Sequence, residues 1–225
     1  MGNHSEGGVQ HRRTLDLTGQ TQRPKLPPSP RGLRTRLKLL NAARAVFERQ
    51  GYLDARLSDI TTEAGMSAGS FYTYFDSKEA IFAAVVASVE DEMLHPDMVE
   101  VTGSADPVAI IRASNRAYLS SYAKYAKFMR LLNEVSSIDE GFREVRRLRG
   151  EAFIKRNARS IADLQERGLA DASVDALLAS AFLSGMVGRA AYSRFVLGET
   201  WDIEDMVETL TTLWVNALKL DETKA

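Results

Sequence analysis

Five hydroxyl-bearing side chains fall within eight consecutive residues, Ser67-Ala68-Gly69-Ser70-Phe71-Tyr72-Thr73-Tyr74. Serine, threonine and tyrosine hydroxyls suit phosphate oxygens, and Ser70 and Thr73 are short enough to reach base edges. The Thr73 methyl suits a thymine methyl. Gly69 lets a backbone come close to another surface, beside the small Ala68. Lys78 adds a point charge one turn further on. Thr35 and Arg36, well upstream, and Ser58, shortly before the run, are second-tier phosphate candidates. This inventory describes binding to nucleic acid. It contains no nucleophile with a base beside it and no set of metal ligands.

Such residues need a scaffold that packs one face and presents the other. Leu57, Ile60 and Ala64 are three and four apart and share one helix face. Gly65 stands where that helix needs a left-handed stop. Met66 turns toward the core, and Ser67 is a good N-cap for the next helix. Phe71 and Phe75 are spaced to anchor that helix, which leaves Tyr72 and Tyr74 for its other face. Two short helices joined by a tight turn form a helix-turn-helix, whose second helix enters the major groove. A preceding helix from about Thr35 to Arg49 carries Leu39, Leu40, Ala43, Val46 and Phe47 at helical period, and Gly51 ends it.

From about Thr35 to Val86 the chain resembles the TetR family of transcriptional regulators. The resemblance is carried by Leu39-Leu-Asn-Ala-Ala-Arg-Ala-Val-Phe47, Gly51-Tyr52, Ile60, Ala64-Gly65, Ser67, Gly69-Ser70, Tyr72, Tyr74-Phe75, Lys78 and Ala80-Ile81. Two positions depart from the family's usual text. Ala55-Arg56 replaces a pair of threonines ahead of the second helix, and Ala68 replaces a basic residue. The resemblance implies an all-α fold. A three-helix helix-turn-helix domain would be followed by a larger helical domain for ligand binding and dimerisation. It also implies a homodimer joined through the last two helices, double-stranded DNA with a palindromic operator as partner, and a small-molecule effector that releases a repressor.

The charge distribution agrees with DNA binding at one end. The net charge of the 225 residues is only -1. Residues 1–50 nevertheless hold ten Lys/Arg against three acids, while the remainder is acidic. Residues 1–32 are rich in Pro, Gly and polar residues and read as a disordered basic arm, either a solvated tail or one that touches DNA through Arg23, Lys25, Arg31 and, just past it, Arg34. Pro24, Pro27, Pro28 and Pro30 argue against a helix in that arm. There is no cysteine, no apolar run near 18 residues and no secretory signal pattern. The expectation is a cytoplasmic protein that meets no membrane. No phosphate-cradling, metalloprotease or nucleophile-elbow motif occurs. Hence no catalytic residue, metal or cofactor is expected.

The rest of the chain reads as helical throughout. Helices are expected at Lys78 to Leu94, Pro107 to Ala123, Tyr125 to Ser136, Ile138 to Arg167, Ser173 to Leu197 and Asp202 to Leu220. The domain division is residues 33–80 for DNA binding and 81–225 for regulation and dimerisation. Tyr118, Tyr122, Phe128, Met129, Leu132, Phe153, Asn157, Phe182, Met186, Arg189 and Tyr192 fall on inward faces and are candidate ligand contacts. Arg189 inside needs a partner, an acidic side chain being preferred over an anionic ligand. Ser180, Ser184 and Gly188 form a small-residue ridge for close helix approach. Leu210, Leu213, Trp214, Ala217 and Leu218 form a stripe on the final helix. By the resemblance, ridge and stripe would meet a second copy. Two alternatives stay open: a DNA-binding regulator with no effector, and a helical ligand-binding or catalytic bundle. With one recognition helix per chain, footprinting should show a near-palindromic site with half-sites about one helical turn apart or slightly more. Protection of a single asymmetric half-site would contradict this.

Overall fold

A computed structural model describes residues 29–94 and 106–220. Within them the chain forms nine α-helices and no strand. In chain order these are α1 (Pro30–Gln50), α2 (Leu57–Glu63), α3 (Ala68–Tyr72), α4 (Lys78–Leu94) and α5 (Pro107–Lys124). They continue as α6 (Ala126–Ile138), α7 (Glu140–Glu166), α8 (Ala176–Phe195) and α9 (Ile203–Leu218). Most of the basic arm lies outside the described residues. Its last segment does not behave as expected, because α1 begins at Pro30 rather than near Thr35. Pro30 stands at the first turn, where its missing N–H costs nothing. Ser29 Oγ accepts from the Gly32 N–H at 3.2 Å.

Helices α1 to α3 close over Leu39, Ala43, Val46, Phe47, Ile60, Ala64 and Phe71, all fully or almost fully buried. This head is continuous with the body. The division expected at residue 80 falls inside α4, which runs unbroken from Lys78 and also packs on α5. Ser77 Oγ caps α4 by accepting from the Ala80 N–H at 3.1 Å. Phe82 on α4 is fully buried at the junction. Its ring lies 5.1 Å from Phe47, 4.6 Å from Tyr52, 5.8 Å from Phe128 and 4.9 Å from Phe142. Phe128 and Leu132 on α6, expected at a ligand, belong to this packed core instead.

In the body, α5 lies along α9 and α7 lies along α8. Asn115 Nδ2 donates to Thr211 Oγ1 at 3.2 Å inside the first seam, and both residues are buried. Arg112–Glu208 and Arg116–Glu204 flank it at 3.0 and 2.6 Å. Such half-exposed pairs are worth about 0–1 kcal/mol each, so they fix the seam's register more than its stability. In the second seam Ser180 Oγ donates to the Ile154 carbonyl at 2.8 Å, and Asn157 Nδ2 to Ser184 Oγ at 3.3 Å. The expected ridge therefore faces its own chain. Helix α8 also starts later than expected, at Ala176, with Asp175 rather than Ser173 accepting from the Leu178 N–H.

Because Ser29 caps α1, Ser29→Ala should lower stability by about 1 kcal/mol in urea denaturation. Deletion of residues 1–28 spares the cap and should leave the melting temperature unchanged. A large loss on that deletion would show that residues 1–28 contribute to the packed core.

Candidate nucleic-acid interface and ligand cavity

Local hydrogen bonds set the α2–α3 turn. The Asp59 carboxylate accepts from the Arg56 N–H at 3.1 Å and supplies one half of a capping arrangement at the start of α2. That is how the segment manages without threonines at Ala55 and Arg56. Ala55 is instead a buried packing residue. Ser58, the expected phosphate contact, is exposed, and its carbonyl accepts from Thr61 Oγ1 at 3.0 Å. At the end of α2, Gly65 takes φ +59°. Its N–H reaches the Thr62 carbonyl and the Met66 N–H the Thr61 carbonyl, closing the helix in the left-handed manner that favours glycine. Ser67 Oγ then accepts from the Ser70 N–H at 3.2 Å and lies 3.0 Å from Ser70 Oγ.

This geometry leaves one polar face outward. Ser67, Ala68, Gly69, Tyr72 and Thr73 are exposed, while Phe71 and Phe75 are buried. The Tyr72 ring meets Phe71 edge-on at 5.5 Å, which holds it without burying it. Ser70 is half-buried, and Thr73 Oγ1 donates to the Gly69 carbonyl at 3.5 Å. Tyr74 differs from Tyr72, because it packs partly against the core.

Three expected phosphate contacts are otherwise engaged. Lys78 Nζ donates to the carbonyls of Tyr52, Leu53 and Ala55 at 2.9, 3.2 and 3.0 Å. It also sits 4.8 Å from the centre of the Tyr52 ring. All three ammonium hydrogens are used in tying the α1–α2 loop to α4. Thr35 Oγ1 donates to the Arg31 carbonyl at 3.0 Å. The Arg36 guanidinium lies 5.1 Å over Phe75 with its Nε buried and unpaired, and burial lowers its pKa. Two exposed cations on the head were not expected from the sequence, Lys38 and Arg56. Lys38 stands beside the turn, with Nζ 3.8 Å from where a Cβ on Gly65 would project. Its signal was available: it lies on the first helix one turn after Arg34, which is also exposed.

In the body, a cavity of about 520 Å³ opens among α5, α6, α7 and α8. Five expected residues line it: Tyr118, Tyr122, Met129, Arg189 and Tyr192. Asn133, Arg146, Gly185 and Gly188 line it without having been expected. The pKa of the Tyr122 hydroxyl is raised by burial. Burial pushes the Tyr118 hydroxyl up to about 12, so it stays a neutral donor at physiological pH. The remaining candidates lie elsewhere. Phe153 meets the Arg156 guanidinium at 5.2 Å, Asn157 bonds Ser184 on α8, and Met186 packs on the core. Phe182 is 71% exposed on the outer face of α8. Among the described residues no ion pair to Arg189 is present; its guanidinium lies 5.6 Å from the Tyr192 ring centre. Gly188 belongs to the cavity wall and not to a dimer ridge, since a Cβ there would stand 3.5 Å from Tyr118 Oη.

Lys78→Met should cost about 1–3 kcal/mol in urea denaturation, because it strands carbonyls that are partly buried. Tyr72→Ala should leave stability alone and weaken DNA binding about equally across operator sequences. If Lys78→Met kept full stability and lowered the salt slope of binding by about one, the ammonium would be a phosphate contact after all.

Residues 39–85 match the family model for bacterial regulatory proteins, tetR family. The HTH-type transcriptional regulator EthR of Mycolicibacterium smegmatis is 25% identical over 202 residues, covering 88% of this chain and 93% of that relative. The uncharacterized HTH-type transcriptional regulator YdgC of Bacillus subtilis is 46% identical over 56 residues, which are 25% of this chain and 29% of that protein. Among solved structures, SmeT, the repressor of the Stenotrophomonas maltophilia multidrug efflux pump SmeDEF, is similar at a TM-score of 0.66 and 20% identity. That similarity covers 81% of this chain and 89% of SmeT. The family model matches the segment where the turn, the caps and the exposed hydroxyl face lie, and the nine-helix order continues past it through the body. Residues 39–85 thus match the helix-turn-helix segment of the tetR family of bacterial regulatory proteins, and the chain is similar to that family's DNA-binding regulators of transcription.

Proposed function

We propose that this chain is a homodimeric, sequence-specific repressor released from its operator by a small molecule bound in the body cavity. The observation that carries the reading is the joint presence of two features. One is a capped recognition helix with an exposed face of Ser67, Ala68, Gly69, Tyr72 and Thr73. The other is a cavity of about 520 Å³ in the body, within the size range of small-molecule sites. A body with no such recess would favour a regulator without an effector. SmeT, which is similar in fold, is a repressor.

Release would work as a population shift. A ligand that prefers one arrangement of the body favours one spacing of the two recognition helices. Only one spacing matches successive major grooves. Helix α4 carries any movement, since it starts at the head and packs against α5. The DNA contacts proposed are Ser67, Ala68, Gly69, Ser70, Tyr72, Thr73 and Tyr74, with Arg31, Arg34, Lys38 and Arg56 as phosphate cations. The basic tail at 1–28 adds to their field.

The second copy would meet the outer faces of α8 and α9. Leu177, Leu178 and Phe182 on α8 and Leu213 on α9 are large apolar side chains left 45–71% exposed. Leu210, Trp214 and Leu218 do not join them, being buried in their own chain. Ala217 is exposed.

Mapping protected sites across genomic DNA tests the reading as a whole, and a chain that protects no site is not a DNA-binding regulator. Phe182→Glu should convert the dimer to a monomer in sedimentation and lower operator affinity with it, while the melting temperature of the monomer stays put. A dimer that survives Phe182→Glu has its interface elsewhere.

A further inference from the structure

The cavity has a composition that selects among ligands. Of its nine lining residues, three are tyrosines, two are arginines, two are glycines, and Met129 and Asn133 complete the set. No acid is among them. The four helices that build it also have little negative charge to spare. Helices α5 and α8 contain no Asp or Glu. Glu134, the one acid on α6, lies 3.8 Å from Arg130. On α7, Arg147 takes both Glu144 and Glu151, at 2.7 and 3.1 Å, and Lys155 takes Glu151 as well at 2.6 Å; Asp163 pairs with Arg167 at 3.1 Å, and Glu140 and Glu166 stand at the two ends of the helix. Arg146, between them in sequence, lines the cavity instead.

The walls also distinguish ring from chain. An aliphatic tail is held by branched aliphatic side chains, and Met129 is the only aliphatic side chain present beside the glycines. Tyr118 and Tyr122 stand 6.0 Å apart at 51°, and Tyr122 stacks on Phe195. These rings offer π-faces and edges. Gly185 and Gly188 leave the α8 wall flat, with nothing within 4 Å of a Cβ on Gly185. A planar body fits against such a wall. The Tyr118 hydroxyl, neutral at physiological pH, adds a donor.

We propose that the cavity among α5, α6, α7 and α8 takes a small planar aromatic carboxylate, its anionic end held by Arg146 and Arg189 and its ring set among Tyr118, Tyr122 and Tyr192. This rests on the reading of the cavity as the effector site. Guanidinium groups suit a carboxylate because they offer paired N–H donors in one plane. The neutral tyrosines and Asn133 then sort among ring substituents.

Calorimetry on the full chain with 2-naphthoate, 2-naphthamide and decanoate tests it. Naphthoate should bind about tenfold or more tighter than naphthamide, since a hydrogen-bonded charge replaces a neutral amide. It should also bind more tightly than decanoate. Arg146→Gln combined with Arg189→Gln should erase the preference for the anion and leave naphthamide binding as before; both side chains are exposed, so folding is retained. Gly188→Leu, which fills the cavity beside Tyr118, should abolish binding of both naphthyl probes. Equal affinity for anion and amide overturns the proposal. So does a preference for decanoate, an anion preference that survives loss of both arginines, unchanged binding in Gly188→Leu, or no naphthoate binding at all. Naphthoate that binds selectively yet leaves operator DNA bound upholds the anion site and counts against ligand release alone.

Discussion

Phe82 is where the two halves of the molecule become one. It comes from α4, but its ring touches side chains from α1, the α1–α2 loop, α6 and α7. Each such ring pair contributes about 0.5–1.5 kcal/mol beyond the area it buries. The perpendicular contacts with Phe47 and Phe142 leave no slack for sliding. A packed cluster of this kind has discrete arrangements and does not deform continuously. Any tilt of the head against the body must repack these rings. A change at the body's end of the cluster is therefore felt at the head.

Two polar ties flank the cluster. Lys78 fixes the backbone of Tyr52, whose hydroxyl donates to Glu79 at 3.3 Å. Burial and that carboxylate together raise the tyrosine's pKa, which keeps the donor in place. On the other side, Tyr125 donates to Glu92 at the far end of α4, and Lys124 pairs with the same carboxylate at 2.9 Å. The Arg44 guanidinium of α1 covers the Tyr125 ring at 5.1 Å. These bonds hold the Glu92 carboxyl below its usual range. Helix α4 is thus tied to the head near its start and to the α5–α6 corner near its end. Such a helix transmits a displacement as a lever.

The helices were largely legible from local signals, because caps and stops act over three or four residues. Gly51 and Gly65 take positive φ at the helix ends where their positions suggested stops, and Gly168 and Gly198 do the same after α7 and α8. The misreadings arose where one residue type serves two purposes. Pro30 was read as a helix breaker, yet at the first turn proline starts a helix. Lys78 offers the same ammonium to a phosphate or to three carbonyls, and only the loop's path decides between them. Ser180, Ser184 and Gly188 say that something comes close to α8 without saying which chain supplies it. Arg189 was assigned an acid on the general cost of burying charge, whereas it stands exposed at a cavity. The cavity itself was half legible. Inward periodicity identifies which residues face the body's interior, but whether neighbouring helices touch or stand apart depends on packing over more than 70 residues of chain, from Tyr118 to Tyr192.

The placement of Arg146 joins the two ends of the molecule. It lies one turn after Phe142 on α7, and Phe142 is a member of the Phe82 cluster. Residues four apart on a helix share a face, so a pull on the Arg146 side of α7 is applied close to the cluster. On α6, Met129 lines the cavity and Phe128, its neighbour in sequence, touches Phe82. Two helices thus bring a cavity residue and a cluster residue within one turn. Coupling between sites of this kind is typically about 1–3 kcal/mol, and repacking one or two aromatic contacts is of that size. On the proposed reading the ligand would not need to drive a large motion. It would only have to prefer one packing of Phe82 over another by the worth of a ring contact, and α4 would convert that preference into the spacing of the recognition helices.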